Sequence, residues 1–164
     1  MGPVISQRAK ERIERHIARG IEEGARLLVD GRNITVADYL NGHYLGPSVF
    51  SEASPEMAIC REEIFGPVMP IIKAKNLDEA IGMINERTDY GNTATIYTSS
   101  GGASQKFQRE VNCGMVGINI GVVAPVAWFP FGGKRKSFFG ILHGQLPDVI
   151  DFFTDKKVII KRWW

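Results

Sequence analysis

Cysteine, histidine and net charge are all scarce in this sequence. Two cysteines, Cys60 and Cys113, and three histidines occur among 164 residues. That supplies no disulfide framework and no Cys/His pair at metal-ligand spacing, so no metal site is expected. With so few thiols, a reducing compartment is the simpler expectation, and the cytoplasm the default. The formal charge of +2 is too small to argue for nucleic acid or an anionic membrane surface. No apolar run reaches the roughly 18 residues a membrane helix needs. The N-terminus turns charged by Arg8, unlike a secretory signal, and Glu11 and Glu14 make it too acidic for a mitochondrial presequence.

What is present describes a globular chain. Hydrophobic residues make up 44% and charged residues 23%, and the length suits one domain with a real core. Ser6 is a plausible N-cap, and Ala9, Ile13, Ile17 and Ile21 recur every four residues behind it. That spacing predicts an amphipathic helix ending near Gly24. Arg26 to Val29 reads as a short strand, and Asp30-Gly31 as the turn out of it. Asn33 to Ser54 is irregular, with strand pieces around Tyr44, Val49 and Phe50. Pro55 to Ile59 reads as one helical turn with proline first. His16 and His43 read as solvated side chains.

Val68 to Lys73 reads as a buried strand. Asn76 and Glu79 form a capping box ahead of a helix that ends near Arg87. Ala94 to Thr98 reads as a strand and Gly101-Gly102 as a loop. Ala103, Phe107 and Val111 mark a third helix, and Val116 to Ile120 a further buried strand. Strand, helix, strand, helix, strand in succession predicts an α/β fold with a largely parallel sheet flanked by helices.

The last part differs in character. Val122 to Gly133 (VVAPVAWFPFGG) combines prolines, aromatics and a Gly-Gly pair, which reads as a loop able to wall a small apolar substrate or to pack into the core. The KRK cluster at Lys134–Lys136 is too small a charge to predict nucleic-acid binding and reads as a solvated loop. Ile150 to Trp164 alternates apolar and basic residues and closes on two tryptophans. It reads as an exposed terminal strand that should pair with another sheet or subunit.

The most informative stretch is Arg61 to Met69, REEIFGPVM. Two carboxylates are followed by an aromatic ring and a Gly-Pro turn that feeds a strand. A carboxylate two residues from a ring could hold a polar heterocycle, the acid accepting hydroxyl hydrogens while the ring packs. A surface acid pair beside a core phenylalanine is the plainer alternative.

EEIFGPV resembles the corresponding motif of the NAD(P)-dependent aldehyde dehydrogenases. The likeness extends in register through EEGARLLVDGR, YLGPSVF, NLDEAIGMINERTDYGNTATIYT and VGINIGVVAPVAWFPFGG, parts of that family's C-terminal region. With GQLPDVIDFFTDKKVIIKRWW it looks most similar to the CoA-acylating methylmalonate-semialdehyde branch. The resemblance implies NAD as cofactor, CoA as co-substrate and a small aldehyde as substrate. It implies cofactor contacts at Glu63 and Phe65 and substrate contacts at Asn119 and Phe131. It also implies a catalytic domain, incomplete at its N-terminus, over residues 1–149 and an oligomerisation strand over residues 150–164 that would make a homo-oligomer.

The departures from that pattern are equally definite. The family's nucleophilic cysteine lies in a Gly-Gln-x-Cys setting, which neither Cys60 nor Cys113 has. Its general-base glutamate and Gly-rich dinucleotide turn also have no counterpart here. PFGGKRKSFFG departs from the commoner GGxKxSG form. No catalytic residue is therefore assigned. The expectation is a domain piece or late-started gene model that oxidises no aldehyde alone and holds no cofactor tightly. The rival expectation is a non-catalytic interaction module that kept the oligomerisation surface.

Overall fold

The spacing of isoleucines along the first helix decides how the N-terminal half packs. The computed structural model describes residues 1–140, 144–145 and 148–164, in two units, Met1–Thr88 and Asp89–Trp164. In the first, helix α1 spans Gln7–Glu22, and the Ser6 side chain accepts from the Ala9 N–H, as an N-cap does. Gly24 ends it at φ +98°. Its N–H donates to Ile21, and that of Ala25 reaches back to Gly20, the paired bonds of a Schellman stop. Ile13 and Ile17 are fully buried, whereas Ile21 is exposed. The helix thus presents a narrower stripe than four-residue spacing implies.

That stripe packs into a core with Leu45, Phe50, Ile59 and Ile64. Complete burial of a side chain such as Phe50 contributes roughly 1.5–3 kcal/mol. The core lies against a three-stranded sheet in the order β1 (Arg26–Val29), β2 (Ser48–Ser51), β3 (Val68–Pro70). β1 and β2 are antiparallel with an irregularity between Leu27 and Val29, and β2 and β3 are parallel. Gly31 permits a close backbone approach, since a Cβ there would stand 2.0 Å from the Gly46 carbonyl oxygen. Ser48, a buried polar side chain of this core, accepts from the Gly31 N–H at 3.0 Å.

The helical turn expected at Pro55–Ile59 falls later, as α2 (Ala58–Arg61). The reason is a distant cap: the Glu23 carboxylate, from the end of α1, accepts the Ala58 N–H at 2.7 Å. β3 is shorter and less buried than expected, with Met69 and Ile71 facing solvent. Helix α3 (Leu77–Glu86) starts at the predicted cap, where Asn76 accepts from the Glu79 N–H. The Glu79 carboxylate bonds Lys75 rather than the N-cap residue itself.

In the second unit, β5 (Thr93–Ile96) and β6 (Met115–Ile118) are parallel, joined through α4 (Gly101–Glu110). Gly101-Gly102 is not a loop. Ser100 caps the helix by accepting from Ala103, which recruits both glycines into its first turn. Phe107, Val111, Cys113 and Met115 are buried, but Ile118 and Ile120 are exposed, so burial along β6 ends before its last residue. β4 (Tyr90–Gly91) pairs antiparallel with β7 (Lys134–Arg135).

The α/β character is present, but among the described residues the strands do not join into a single, largely parallel sheet. The strands of the described residues form three small sheets, two of them a parallel pair or containing one. Short strands of two to four residues leave little ladder with which to join sheets. The terminal segment forms no strand within the described residues. Asp148–Phe153 is a helix, α5, and residues 154–164 adopt neither helix nor strand. A strand exists only against a partner, and among the described residues none pairs with this segment. Leu146 and Pro147 of the GQLPDV stretch lie outside the described residues. No helix among the described residues is long and apolar enough to cross a membrane.

Candidate functional site

The REEIFGPVM loop alternates between core and solvent. Ile64 is buried, whereas Glu63 and Phe65 are exposed, the phenyl ring to 77%. The backbone turns outward because Phe65 sits at φ +51°, a conformation that costs a bulky residue on the order of 1–3 kcal/mol. Gly66 follows with no room for a side chain, as a Cβ would stand 2.6 Å from Ile13 Cδ1. The Pro67 carbonyl then accepts from Ser48 N–H at 2.8 Å, seating the turn beside β2.

Helix α1 holds the same loop from the side. Arg12 donates to the carbonyls of Glu63 (3.3 Å) and Ile64 (2.5 Å). Arg19 donates to the Glu62 carboxylate at 3.1 Å, and His16 Nε2 lies 3.8 Å from it. The two adjacent glutamates are therefore unequal. Glu62 is tied to α1, while the Glu63 carboxylate has no hydrogen-bond or ion-pair partner among the described residues. An ionised acid of this kind can accept hydroxyl hydrogens beside an exposed ring. Sequence reasoning missed Arg12, His16 and Arg19. Their spacing along one face of α1 was the available signal. His16 is not solvated: its side chain is only 11% exposed.

Asn119 and Phe131 belong to the second unit. Asn119 follows β6 at φ +56°, and its carboxamide is engaged at both ends. Oδ1 accepts from the Thr98 N–H at 2.8 Å, and Nδ2 donates to the Thr98 carbonyl at 3.0 Å. One N–H of Nδ2 remains for another acceptor. Phe131 is half-buried and stacks on Phe138, with centroids 6.0 Å apart and planes 20° apart. Gly133 and Gly114 make this possible, since a Cβ on either would collide, with Phe138 at 2.3 Å and with Gly133 at 2.3 Å respectively. Around them Val122, Val126, Trp128 and Phe129 stay exposed, so the loop is not packed into the core.

The KRK cluster is engaged within the unit. Lys134 bonds the Asn112 side chain, Arg135 the Asn112 carbonyl, and Lys136 the Asp89 carboxylate. Burial pushes both thiols up from their ordinary value, Cys60 with help from Glu23 and Glu56. Cys113 donates to the Met115 carbonyl at 3.0 Å. Neither thiol has the environment of an activated nucleophile.

The profile of the aldehyde dehydrogenase family matches residues 1–159. The chain belongs to the aldehyde dehydrogenase family. Among its relatives is malonate-semialdehyde dehydrogenase 2 of Shouchella clausii, 47% identical over 164 residues, which are all of this chain and 33% of the relative. The acylating, mitochondrial methylmalonate-semialdehyde dehydrogenase of Arabidopsis thaliana is 45% identical over 163 residues, or 99% of this chain and 27% of that one. Among solved structures, methylmalonate-semialdehyde dehydrogenase from Oceanimonas doudoroffii superposes with a TM-score of 0.93 at 37% identity. It covers 98% of this chain and 33% of its own. This aldehyde dehydrogenase chain thus spans about a third of the length of the relatives it matches.

Proposed function

We propose that the chain supplies the C-terminal part of the catalytic domain, residues 1–149, of an NAD-dependent aldehyde dehydrogenase. The reaction is oxidation of a semialdehyde of the malonate or methylmalonate type, with CoA as the acyl acceptor. The observation that carries this is the exposed Glu63–Phe65 pair, an unengaged carboxylate beside an outward ring on a strained backbone. The names of the relatives support the substrate class. The residues fit a nicotinamide nucleoside: Glu63 accepts ribose hydroxyl hydrogens, and Phe65 packs near the ring. NAD, when bound, supplies the hydride acceptor. Asn119 offers its remaining N–H to the substrate, and Phe131 with its aromatic loop provides an apolar wall.

Both thiols lie in environments that disfavour the thiolate, so the nucleophile comes from elsewhere in the enzyme. The 164-residue chain alone therefore turns over no methylmalonate semialdehyde and binds NAD weakly at most. Spectrophotometric NADH formation by the purified chain, given semialdehyde, NAD and CoA, tests this. Measurable turnover overturns it. In the full-length enzyme, Glu63→Gln and Phe65→Ala should raise the KM for NAD, and an unchanged KM removes the cofactor assignment. The scarcity of cysteine supports a reducing, cytoplasmic setting.

A second reading, an interaction module, rests on the terminal segment. Val158, Ile160, Trp163 and Trp164 are almost wholly exposed, a surface that calls for a cover. Residues 150–164 would then form a homo-oligomer interface. Light scattering that finds a monomer at high concentration counts against it.

A further inference from the structure

The cofactor loop is gripped by three cationic or titratable side chains from one face of α1, and none of them has a role in the reading above. Arg12 spans two successive carbonyls, Glu63 O at 3.3 Å and Ile64 O at 2.5 Å. Those peptides lie directly before Phe65, the residue in the left-handed region. Seven residues along the helix, Arg19 bonds the Glu62 carboxylate at 3.1 Å while also holding Glu23 at 2.8 Å. His16 lies between them, 3.8 Å from Glu62.

We propose that Arg12 and Arg19 are positioning residues for cofactor binding, holding Glu62–Gly66 in the conformation that presents Glu63 and Phe65 outward. The inference rests on the cofactor assignment above. A planar guanidinium with several fixed donors can bond two carbonyls at once, which fixes the orientation of both peptides. Phe65 has no intrinsic reason to remain at positive φ. Freed of the clamp, its backbone relaxes to negative φ and the ring no longer projects from the loop. Gly66, pressed against Ile13, pins the far side, so the clamp and this contact bracket the strained residue. The adjacent acids then divide the work: Glu62 tethers and Glu63 binds. Pre-ordering the loop removes an ordering cost from the binding step.

The first test is backbone NMR relaxation of the 164-residue chain. The Phe65 and Gly66 amides should show order parameters near the rigid value of about 0.85, falling below about 0.6 in Arg12→Ala. Arg12→Lys, which keeps the charge and one point of contact, should recover part of the order, and α1 and β2 amides should not change. Order parameters at Phe65 and Gly66 that stay high in Arg12→Ala overturn the proposal, as does a loss spread evenly over the first unit. Should Arg12→Ala fail to fold, Arg12→Gln keeps part of the stem with fewer donors and is read by the same criterion.

The second test is made in the full-length enzyme. Arg12→Ala should raise the KM for NAD about tenfold, the loss of one charge-assisted hydrogen bond's worth of ordering. Its kcat should remain within about twofold, as expected for lost binding rather than lost chemistry. Glu63→Gln separates the two ideas. A raised KM in Glu63→Gln with none in Arg12→Ala overturns the positioning role alone. An unchanged KM in Glu63→Gln overturns the cofactor assignment on which it rests.

Discussion

Asn119 and Thr98 are joined by two hydrogen bonds, carboxamide Oδ1 accepting from the Thr98 N–H and Nδ2 donating to the Thr98 carbonyl. The pair ties the ends of the parallel strands β5 and β6 together where the ladder stops. Asn119 is also at φ +56°, where asparagine and glycine are tolerated better than alanine. Asn119→Ala loses the bonds and strains the backbone, so it should destabilise the chain by about 1–2 kcal/mol. Asn119→Gly loses the bonds only and should be milder. Urea unfolding of the three proteins gives the order, and equal losses for both variants would remove the backbone part of the explanation.

Gly66 meets Ile13 so closely that an added methyl cannot be placed without movement. Three Ile13 carbons would lie 2.6, 2.9 and 3.1 Å from it, and Ile13 is fully buried. Gly66→Ala should therefore cost about 1–3 kcal/mol. Ile13→Ala is destabilising by itself through a cavity. The double variant should be more stable than the sum of the single losses, since the new methyl occupies space the isoleucine vacated. Additivity in thermal or urea unfolding would show that the two positions do not meet.

Both cysteines should be poor nucleophiles. Burial is the main reason that their thiols titrate above the ordinary value, so little thiolate exists at neutral pH. Iodoacetamide labelling of the native chain near pH 8 should be slow at Cys60 and Cys113. It should rise to the rate of a free thiol on unfolding in urea. Rapid native-state alkylation of either one would reopen it as a candidate nucleophile.

Asp30 gives the acid side of the stability profile a definite sign. Arg32 bonds its carboxylate through Nε (2.9 Å) and Nη2 (2.6 Å). The side-chain hydrogen bond from Arg32 holds Asp30 below its ordinary 3.8. The folded-state value is thus lower than the unfolded one. The stabilisation is present in full above about the ordinary value and fades as pH falls through the lowered folded value. Partial exposure of both groups keeps the effect modest. Melting temperatures across the acid range should fall less steeply for Asp30→Asn than for the native chain, and superimposable slopes would refute this.

Features that depend on neighbours along the chain were legible in the sequence. The Ser6 and Asn76 caps, the glycine stop of α1 and the family motif are all short-range patterns. Helices α1, α3 and α4 begin where local side chains satisfy the first N–H groups. Glu63 and Phe65 were legible as candidates because a charged pair, a ring and a Gly-Pro turn are contiguous.

Tertiary structure alone decided which glutamate is tethered and which has no partner among the described residues, because Arg19 reaches the Glu62 carboxylate from helix α1, far away in sequence. It set the start of α2 through Glu23 and covered most of the side chain of His16, which reads locally as solvated. It also split the expected sheet into three and left residues 154–164 without a strand. Hydrogen bonds between distant segments leave no periodic trace in a sequence, and a strand has no stability apart from its partner.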